Sequence, residues 1–402
     1  MRTLLTGGTI LTKEGLQRMD ISIDDHRVFA IGTEFDTESF EKVIHCDNFF
    51  IVPGFIDVHV HLREPGLSYK ETIETGTAAA AKGGYTTVCS MPNVSPAPVD
   101  RKTLQKQLDL IKRDAKVKVI PYGAITADQS GRGDLSAMEE MADNVLAFSD
   151  DGRGVQGNDL MKEAMITAKK LGKIIVAHCE DEEYDTYNKE SEWRQAKRDI
   201  RLVKETGCAY HICHVSTLET VELVRKAKAE GLPVTCETAP HYLVLDKEQI
   251  RDEGRFKMNP PIRGRDDRQA LIRGIQDGTI DMIATDHAPH SQEEKKGNFQ
   301  DSLFGIVGLE TAFSVLYTKL VKEGLISFQN LMELMWGAPA RVFGLSFQGI
   351  AEGAPADLAV LDLNKEYTID VGEFASKGRS TPFAGWEVTG KVVATMVDGE
   401  IV

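Results

Sequence analysis

The middle of the chain alternates short apolar runs with longer amphipathic stretches. The runs are rich in Val, Ile, Ala and aromatic residues, and eight of them occur, at 55–61, 85–91, 117–123, 145–151, 173–180, 209–216, 233–241 and 281–290. Between them, stretches such as 159–172 (DLMKEAMITAKKLG) and 217–231 (TLETVELVRKAKAEG) repeat apolar residues at helical spacing. This alternation predicts parallel strands joined by crossover helices.

The number of strand–helix units indicates which parallel architecture they form. Eight units within about 240 residues match an α/β fold of the (β/α)8 barrel type, the TIM barrel. An open doubly wound sheet is the competing arrangement of such units. The count of eight favours the barrel.

Both ends of the chain follow a different pattern. Short β-type runs with Gly and Asp turns fill the first part of the chain (TLLTGGTIL, MDISIDDHRVFAIG, EKVIHCDNFFIVPG) and the last part (APADLAVLDL, GWEVTGKVVATMVDGEIV). We expect the two ends to pack together as one small β-sandwich domain. The predicted organisation is therefore residues 1–52 and 346–402 for this domain and residues 53–345 for the barrel.

The composition of the chain indicates which binding partners and which cellular compartment to expect for the protein. The chain has 402 residues, 42% hydrophobic, and a net charge of −15, which argues against nucleic acid and anionic membranes as partners. No apolar stretch approaches the roughly 20 residues of a membrane helix, and the N-terminus does not resemble a signal peptide. None of the six cysteines forms a CxxC pair. We expect reduced, buried cysteines and a cytoplasmic protein.

The candidate chemistry begins in the first run, which contains two histidines two residues apart. Side chains alternate along a strand, so Phe55, Asp57, His59 and His61 are predicted to share one face. Active sites of TIM barrels lie at the carboxyl ends of the strands. The two imidazoles are therefore expected at the barrel mouth, with Asp57 one step deeper as a partner that orients one of them.

Other runs also stay apolar until their last residues and then offer an imidazole or a carboxylate. The fourth ends in Asp150 and Asp151, the fifth in His178, the sixth in His214 and the eighth in Asp286. Nitrogen and carboxylate donors without thiolates suit Zn²⁺ best, with Mn²⁺, Co²⁺ or Fe²⁺ as alternatives. A carboxylate such as Asp151 can bridge two ions and fix their separation. The predicted metal ligands are His59, His61, Asp151, His178, His214 and Asp286.

A single histidine in an apolar strand is more often a hydrogen-bonded structural residue than a ligand. His211, His241 and His287 keep that interpretation. His211 and His214 lie three apart, so a strand places them on opposite faces, and His214 is chosen because it is nearer the strand end. Two cysteines, Cys179 and Cys213, are expected to point away from the metal.

Seven motifs in order now carry a family resemblance: PGFIDVHVHLREPG (53–66), MPNVSP (91–96), AFSDDG (147–152), VAHCED (176–181), YHICHVST (210–217), KMNPPIR (257–263) and IATDHAPH (283–290). Together they resemble the dihydroorotases of the bacterial type, in the amidohydrolase superfamily of metal-dependent hydrolases. The resemblance covers nearly the whole chain. It implies zinc-dependent, reversible cyclisation of N-carbamoyl-L-aspartate to L-dihydroorotate, a step of pyrimidine (UMP) biosynthesis.

The resemblance also implies individual roles. His59 and His61 with Asp286 correspond to the ligands of a first zinc, and His178 with His214 to those of a second. Asp151 takes the bridging position, and Asp286 also acts as the catalytic acid–base. One or two Zn²⁺ ions per subunit are expected. The residues that correspond to substrate contacts are Arg63, Asn93, Asn259 and His290.

Two departures from related patterns bear on the activity. Relatives that cleave hydantoin, dihydropyrimidines or allantoin bridge their metals with a carboxylated lysine on strand four, whereas this chain has FSDDG there. The segment 181–194 is shorter than is usual for the family, either through a deletion or because a surface loop is missing from the sequence. It contains no predicted ligand.

Two other functions remain as alternatives. One is another cyclic amidase, a hydantoinase or allantoinase, which Arg63 disfavours because those substrates lack the carboxylate that it would hold. The other is a non-catalytic dihydroorotase-like subunit that partners aspartate transcarbamoylase. The resemblance also implies a homodimer, and the charged loop 288–305 is predicted either to act as a lid or to be an ordinary solvated loop.

Overall fold

The computed structural model describes residues 2–12, 14–345 and 349–402. These residues form a closed parallel barrel and two sheets built from the chain ends. Among them, no helix combines the length and the apolar character needed to cross a membrane.

The N-terminal segment supplies seven strands to the two sheets. They are β1 (Thr3–Thr6), β2 (Thr9–Thr12), β3 (Gly15–Arg18), β4 (Asp20–Asp24), β5 (Arg27–Gly32), β6 (Lys42–His45) and β7 (Phe50–Pro53). One sheet has four strands in the order β5-β4-β1-β6. The β-rich pattern predicted for this end of the chain is confirmed.

Seven strands of the barrel follow, with helices between them. The strands are β8 (Phe55–Val60), β9 (Tyr85–Ser90), β10 (Lys118–Pro121), β11 (Ile175–Ala177), β12 (Tyr210–Ile212), β13 (Val234–Thr238) and β14 (Met282–Ile283). Some of the helices come after the last barrel strand in the sequence. The helices are α1 (Ile73–Lys82), α2 (Arg101–Asp114), α3 (Met138–Met141), α4 (Asn158–Lys170), α5 (Glu190–Thr206), α6 (Leu218–Ala229), α7 (Pro240–Val244), α8 (Arg265–Asp277), α9 (Gln292–Lys295), α10 (Ala312–Leu316), α11 (Phe328–Met332) and α12 (Ala338–Val342).

The fourth predicted strand, at 145–151, is reduced to one bridging residue. Phe148 pairs in parallel with Gly123 after β10 and with Ile175 of β11, so it still fills the fourth position of the barrel. The chain leaves strand geometry just beyond it because the buried Asp150 carboxylate accepts backbone N–H groups, including that of Ile125 at 2.7 Å. The prediction is therefore correct for the position of the fourth strand in the barrel and wrong for its length.

The barrel closes through its first and last strands. Val60 of β8 bridges in parallel to His287, and the His61 N–H donates to the His287 carbonyl at 2.9 Å. This closure rules out the open doubly wound alternative. The last two predicted runs are shorter than expected, since β13 gives way to α7 at Pro240 and β14 stops before Asp286, whose φ is +49°.

The chain then returns to the terminal sheets through β15 (Leu358–Thr368), β16 (Glu387–Val397) and β17 (Glu400–Ile401). With three N-terminal strands they form the six-stranded sheet β17-β16-β15-β7-β2-β3. Buried side chains between the two sheets, such as Leu5, Ile10 and Leu358, form their common core. The domain boundaries at 52/53 and 345/346 stay predictions, and residues 346–348 lie outside the described residues.

Gly54 joins this sheet domain to the barrel and allows no side chain. A Cβ atom there would overlap the side chain of Thr86 on β9. We expect Gly54→Ala to lower the free energy of unfolding by about 1–3 kcal/mol, measured by urea unfolding with tryptophan fluorescence. Gly32→Ala is the control, because its Cβ would lie 3.4 Å from Phe35, an ordinary contact. Equal losses in the two variants would contradict the predicted overlap.

Candidate metal centre and active site

A bulge in β8 turns its two histidines into the barrel. The pairing with β9 shifts between Asp57 and Val60, so β8 carries one extra residue over that stretch. Val58 lies in the interior core, and the ring of His59, the next residue, is also inside, 5.1 Å from the ring of His214. Two consecutive residues therefore face the same way.

This bulge corrects the predicted alternation. Phe55, four residues before His59, packs outward, stacked on Phe313 with ring centroids 5.5 Å apart. Phe55 and His59 therefore do not share a face, because the extra residue reverses the parity between them. His59 and His61, both beyond the bulge, do share the inward face.

Asp57 does not contact an imidazole, contrary to expectation. Its carboxylate accepts the backbone N–H groups of His59 at 3.0 Å and of Thr285 at 3.1 Å. Burial raises the pKa of Asp57 to about 7 despite these hydrogen bonds. Its role is to tie β8 to the segment after β14, next to the closure of the barrel.

Four predicted ligands converge beside β8. The Nε2 atoms of His59 and His61 lie 3.3 and 3.4 Å from the two carboxylate oxygens of Asp151. Asp286 Oδ1 lies 3.0 Å from His61 Nε2 and 3.5 Å from His59 Nε2. Two nitrogens and two carboxylates thus surround one point at the barrel mouth.

A second group lies on the other side of Asp151. His178 Nδ1 and His214 Nε2 are 3.7 and 3.5 Å from Asp151 Oδ1, and they are 2.9 Å from each other. The two groups share Asp151, whose carboxylate lies between them. Two groups of possible metal ligands therefore adjoin each other and have Asp151 in common.

Left-handed backbone conformations aim several of these side chains. His214 has φ +35°, Asp286 φ +49° and Arg63 φ +62°, a region that non-glycine residues rarely adopt. Such strain clusters at functional sites and persists only where surrounding contacts hold it. The positive φ of His214 also explains why His211 and His214 both lie inside the barrel. The prediction of opposite faces is wrong because β12 ends at Ile212.

The side chains fit a bound cation. His59 Nε2 and Asp151 Oδ1 are fully buried and have no hydrogen-bond partner among the described residues. Leaving a buried polar atom unsatisfied costs about 1–3 kcal/mol, and native proteins rarely tolerate it without reason. A divalent cation coordinated by these atoms would satisfy both of them.

The carboxylates of the cluster are anionic at neutral pH. Burial alone would raise the pKa of Asp151, but the neighbouring imidazoles of His59 and His214 hold it well below its usual range. Burial likewise opposes ionisation of Asp286, yet the hydrogen bond with His61 lowers its pKa to about 2. Ionised carboxylates are the form that binds metal.

Two acidic residues absent from the sequence predictions hold the imidazoles. Glu237 Oε1 lies 2.6 Å from His59 Nδ1, and Glu180 Oε2 lies 3.0 Å from His178 Nε2. Their histidine partners outweigh the effect of burial and lower the pKa of each carboxyl to about 2. A glutamate inside the apolar run VTCETAPH was the signal for Glu237, and Glu180 follows His178 by two residues.

The two cysteines next to ligands differ in orientation. Cys179 is outside the metal cluster, with Sγ 3.4 Å from the Tyr210 hydroxyl. Cys213 instead belongs to the interior core, and its Sγ lies within 4.8 Å of ligand atoms of His59 and Glu237. The expectation that Cys213 points away is wrong, since the turn at His214 places consecutive residues inside.

A cavity of about 380 Å³ opens above the cluster. Arg63 lies in its wall, nearly fully buried, with Nε donating to the Pro289 carbonyl at 3.1 Å. Burial lowers the pKa of Arg63 to about 10, which leaves it charged at neutral pH. A buried guanidinium beside an open cavity suits a carboxylate ligand.

Asn93 and Asn259 line the same cavity, and each also contacts a residue of the site. Asn93 Oδ1 lies 2.7 Å from His61 Nδ1, so it accepts that N–H and orients the ring. Asn259 Nδ2 donates to Glu180 Oε2 at 3.2 Å. Their predicted contact with substrate therefore stays a prediction, and each has a second role as a support of the site.

His290 borders the cavity with both ring nitrogens engaged. Nε2 lies 2.7 Å from the Phe304 carbonyl, and Nδ1 lies 3.2 Å from Lys70 Nζ. Burial and the charges of Arg63 and Lys70 lower the pKa of His290 to about 3, so the ring is neutral. Its predicted contact with substrate stays a prediction.

The loop 288–305 contains the short helix α9 and is anchored at several points. Lys70 pairs with Glu294 at 2.9 Å, and Lys295 Nζ donates to the carbonyls of Lys257 and Leu303 at 3.1 and 2.6 Å. The loop thus lies against the cavity rim. Movement of the loop as a lid stays a prediction.

The histidines assigned structural roles lie around the site. His211 contacts Glu237, and His287 Nε2 lies 3.5 Å from the buried Glu71. His241 is buried at the start of α7, beyond the end of β13, and burial lowers its pKa to about 4. All six cysteines are buried and unpaired by disulfides, as expected.

Comparison with known sequences gives consistent matches over the full chain. The family model described as "Amidohydrolase family" matches residues 50–402. A dihydroorotase from Fusobacterium nucleatum subsp. nucleatum is 46% identical over 416 residues, covering 99% of this chain and 97% of the relative. A dihydroorotase from Brevibacillus brevis is 47% identical over 425 residues, covering 100% and 99%.

Solved structures give the same architecture. The L-hydantoinase (dihydropyrimidinase) from Arthrobacter aurescens superposes with a TM-score of 0.89 at 26% identity, covering 100% of this chain and 95% of that chain. The D-hydantoinase (dihydropyrimidinase) from Thermus sp. gives a TM-score of 0.86 at 25% identity, covering 99% and 94%. The predicted fold is confirmed.

Proposed function

The chain belongs to the amidohydrolase family, and because its full-length relatives are dihydroorotases we propose that its barrel mouth interconverts N-carbamoyl-L-aspartate and L-dihydroorotate. One observation carries the proposal. A buried, charged Arg63 faces the same cavity as two ligand groups that share Asp151. A cyclic amide that bears a carboxylate needs both features.

We propose Zn²⁺ as the metal, held by His59, His61 and Asp286 at one position and by His178 and His214 at the other, with Asp151 between them. The donor set of imidazoles and carboxylates suits this ion. When bound, such an ion lowers the pKa of water and polarises a carbonyl group. The carboxylates of Asp151 and Asp286 offset only part of the charge of two divalent ions, so the site keeps a positive excess that favours an anionic substrate.

Asp286 is proposed to move the proton. In ring opening its carboxylate accepts a proton from the attacking water and delivers it to the ring nitrogen that leaves. In ring closure it removes a proton from the carbamoyl amino group, which then attacks the protonated side-chain carboxyl group. Asp286 returns this proton to the departing hydroxyl group, which leaves as water. Its low pKa keeps it ready to accept a proton at neutral pH.

Arg63 is proposed to bind the carboxylate that does not react. Its guanidinium can form paired hydrogen bonds to that group and hold the ring over the metal positions. Asn93, Asn259 and His290 are proposed as further contacts around the ring. Among these four, Arg63 alone brings a positive charge, so it decides the preference for an anionic substrate.

The strand-four residues argue against the hydantoinase alternative. Although solved hydantoinases share the fold, the segment FSDDGR at 148–153 contains no lysine to be carboxylated. Asp151 lies between the two ligand groups instead, and these distances support our proposal that it bridges the metals. The alternative of a non-catalytic subunit is disfavoured because each predicted ligand is present.

We expect zinc-loaded protein to turn over L-dihydroorotate, measured as the loss of its ultraviolet absorbance when the ring opens. Hydantoin and allantoin under the same conditions should give no comparable rate, because neither offers a carboxylate to Arg63. Hydantoin turnover at a similar rate would contradict the proposed specificity. No turnover of any substrate, with zinc bound, would favour the non-catalytic subunit.

We also propose a cytoplasmic homodimer, on the basis of the family. Association with aspartate transcarbamoylase remains part of this proposal. Size-exclusion chromatography with light scattering, alone and with the transcarbamoylase, distinguishes a monomer, a dimer and a complex.

A further inference from the structure

We propose that Glu237 is the positioning residue that fixes the ligands of both predicted metal positions. The inference rests on the proposed metal site, and it assigns the task to a residue of β13 that is not itself a predicted ligand. One oxygen, Oε1, lies 2.6 Å from His59 Nδ1 and 3.4 Å from the backbone nitrogen of His214. A single carboxylate therefore reaches one ligand from each group.

The contact with His59 determines which ring nitrogen is free. A carboxylate only accepts hydrogen bonds, so His59 donates from Nδ1 and presents the lone pair of Nε2. That Nε2 atom is the one that lies 3.3 Å from Asp151 and lacks a hydrogen-bond partner. A carboxylate partner also raises the basicity of a ligand imidazole.

The contact with His214 acts on the backbone. His214 adopts φ +35°, a strained conformation for a histidine, and this turn brings its ring beside Asp151. The Glu237 carboxylate accepts the His214 N–H, while the Glu237 backbone carbonyl accepts the N–H of Val215 at 2.8 Å. Glu237 thus holds the turn from both its side chain and its main chain.

The second oxygen of Glu237 is also held. Oε2 lies 3.2 Å from His211 Nε2, and His211 Nδ1 lies 2.8 Å from the Thr235 hydroxyl. Glu237 and His211 are both essentially inaccessible to solvent. The hydrogen bonds that link Thr235, His211 and Glu237 therefore prevent rotation of the carboxylate and keep Oε1 aimed at His59.

A purely structural role predicts a different outcome from a positioning role. Glu192 provides the comparison, because it is an equally buried glutamate that accepts hydrogen bonds from Ser216 and Thr217 and contacts no imidazole. Replacing either glutamate with glutamine removes a buried charge at nearly constant shape. Only the change at Glu237 removes a carboxylate from a ligand.

The test measures zinc affinity by competition with a chromogenic chelator, on the full chain. Of the two proposed zinc ions, we expect Glu237→Gln to bind the more tightly held one about 10–100-fold more weakly than unaltered protein. The zinc affinity of Glu192→Gln should remain within about threefold of that of unaltered protein. With Co²⁺ in place of zinc, only Glu237→Gln should change the visible absorption spectrum. Glu237→Asp, which keeps the charge but withdraws it by one methylene, should also weaken binding at least tenfold and serves if the glutamine variant does not fold.

Zinc affinity of both Glu237 variants within threefold of unaltered protein would overturn the inference. So would equal losses in Glu237→Gln and Glu192→Gln, because these would indicate a general effect of a lost buried charge. If unaltered protein binds no zinc, the proposed metal site itself fails, and the inference with it. The zinc affinity of unaltered protein therefore distinguishes failure of the proposed metal site from failure of the role assigned to Glu237.

Discussion

Asp286→Asn should lower kcat for L-dihydroorotate by about 10²–10⁴-fold, the usual contribution of a positioned acid–base. The substitution keeps the shape and one oxygen near His61, but an amide does not accept a proton at neutral pH. Because the proton must move in both directions of the reaction, ring opening and ring closure should slow together. Steady-state rates in both directions measure this.

Zinc content separates the two roles of Asp286. If the residue acts mainly as the proton carrier, the variant should retain the zinc held by His178 and His214 while turnover is lost. Asp281→Asn is the control, since Asp281 precedes β14 on the same segment and its side chain accepts hydrogen bonds from Lys228 and the Cys236 N–H. A kcat within about tenfold of unaltered protein in Asp286→Asn would refute the acid–base assignment.

Much of the candidate site follows from where the apolar runs end. The carboxyl ends of parallel strands meet at one edge, so a histidine or an aspartate that closes a run must lie near the others. This argument predicts that His178 and Asp151 lie close together, and the structure brings them within 3.7 Å of each other.

Side-chain direction was the part that the sequence did not determine. Alternation failed at His59, where a bulge adds a residue, and at His214, where φ is positive. A bulge depends on the pairing of β8 with β9, and the turn at His214 depends on contacts from Glu237, which lies 23 residues away in the chain. Such long-range contacts are invisible to a local pattern.

The positions of the strands and helices were also predictable from local patterns, but the ends of the strands were not. Strand and helix periodicity located every barrel position, including the fourth, although only Phe148 pairs there. Strand ends were overestimated because polar capping contacts stop a strand before its apolar run stops. The Asp150 carboxylate, which accepts the Ile125 N–H, is the clearest case.

Arg63→Met should lower kcat/KM for L-dihydroorotate by about 10²–10³-fold, mainly through KM. Removing one partner of a buried charged pair costs about 2–5 kcal/mol, and the carboxylate that Arg63 holds does not react. Binding is therefore lost more than the chemical step. Arg63→Lys should recover only part of the loss, because an ammonium cannot form the paired hydrogen bonds of a guanidinium.

Arg153→Met is the matched control for this prediction, since Arg153 borders the same cavity but is exposed to solvent. An exposed charge contributes little at physiological salt, so kcat/KM should change by less than about fivefold. An equal loss in the two variants would mean that the overall positive potential of the mouth, rather than a carboxylate contact, selects the substrate. A loss confined to Arg63→Met would locate the contact at a guanidinium fixed by the left-handed turn after β8 and by the Pro289 carbonyl. Backbone strain at that position would then serve substrate selection directly.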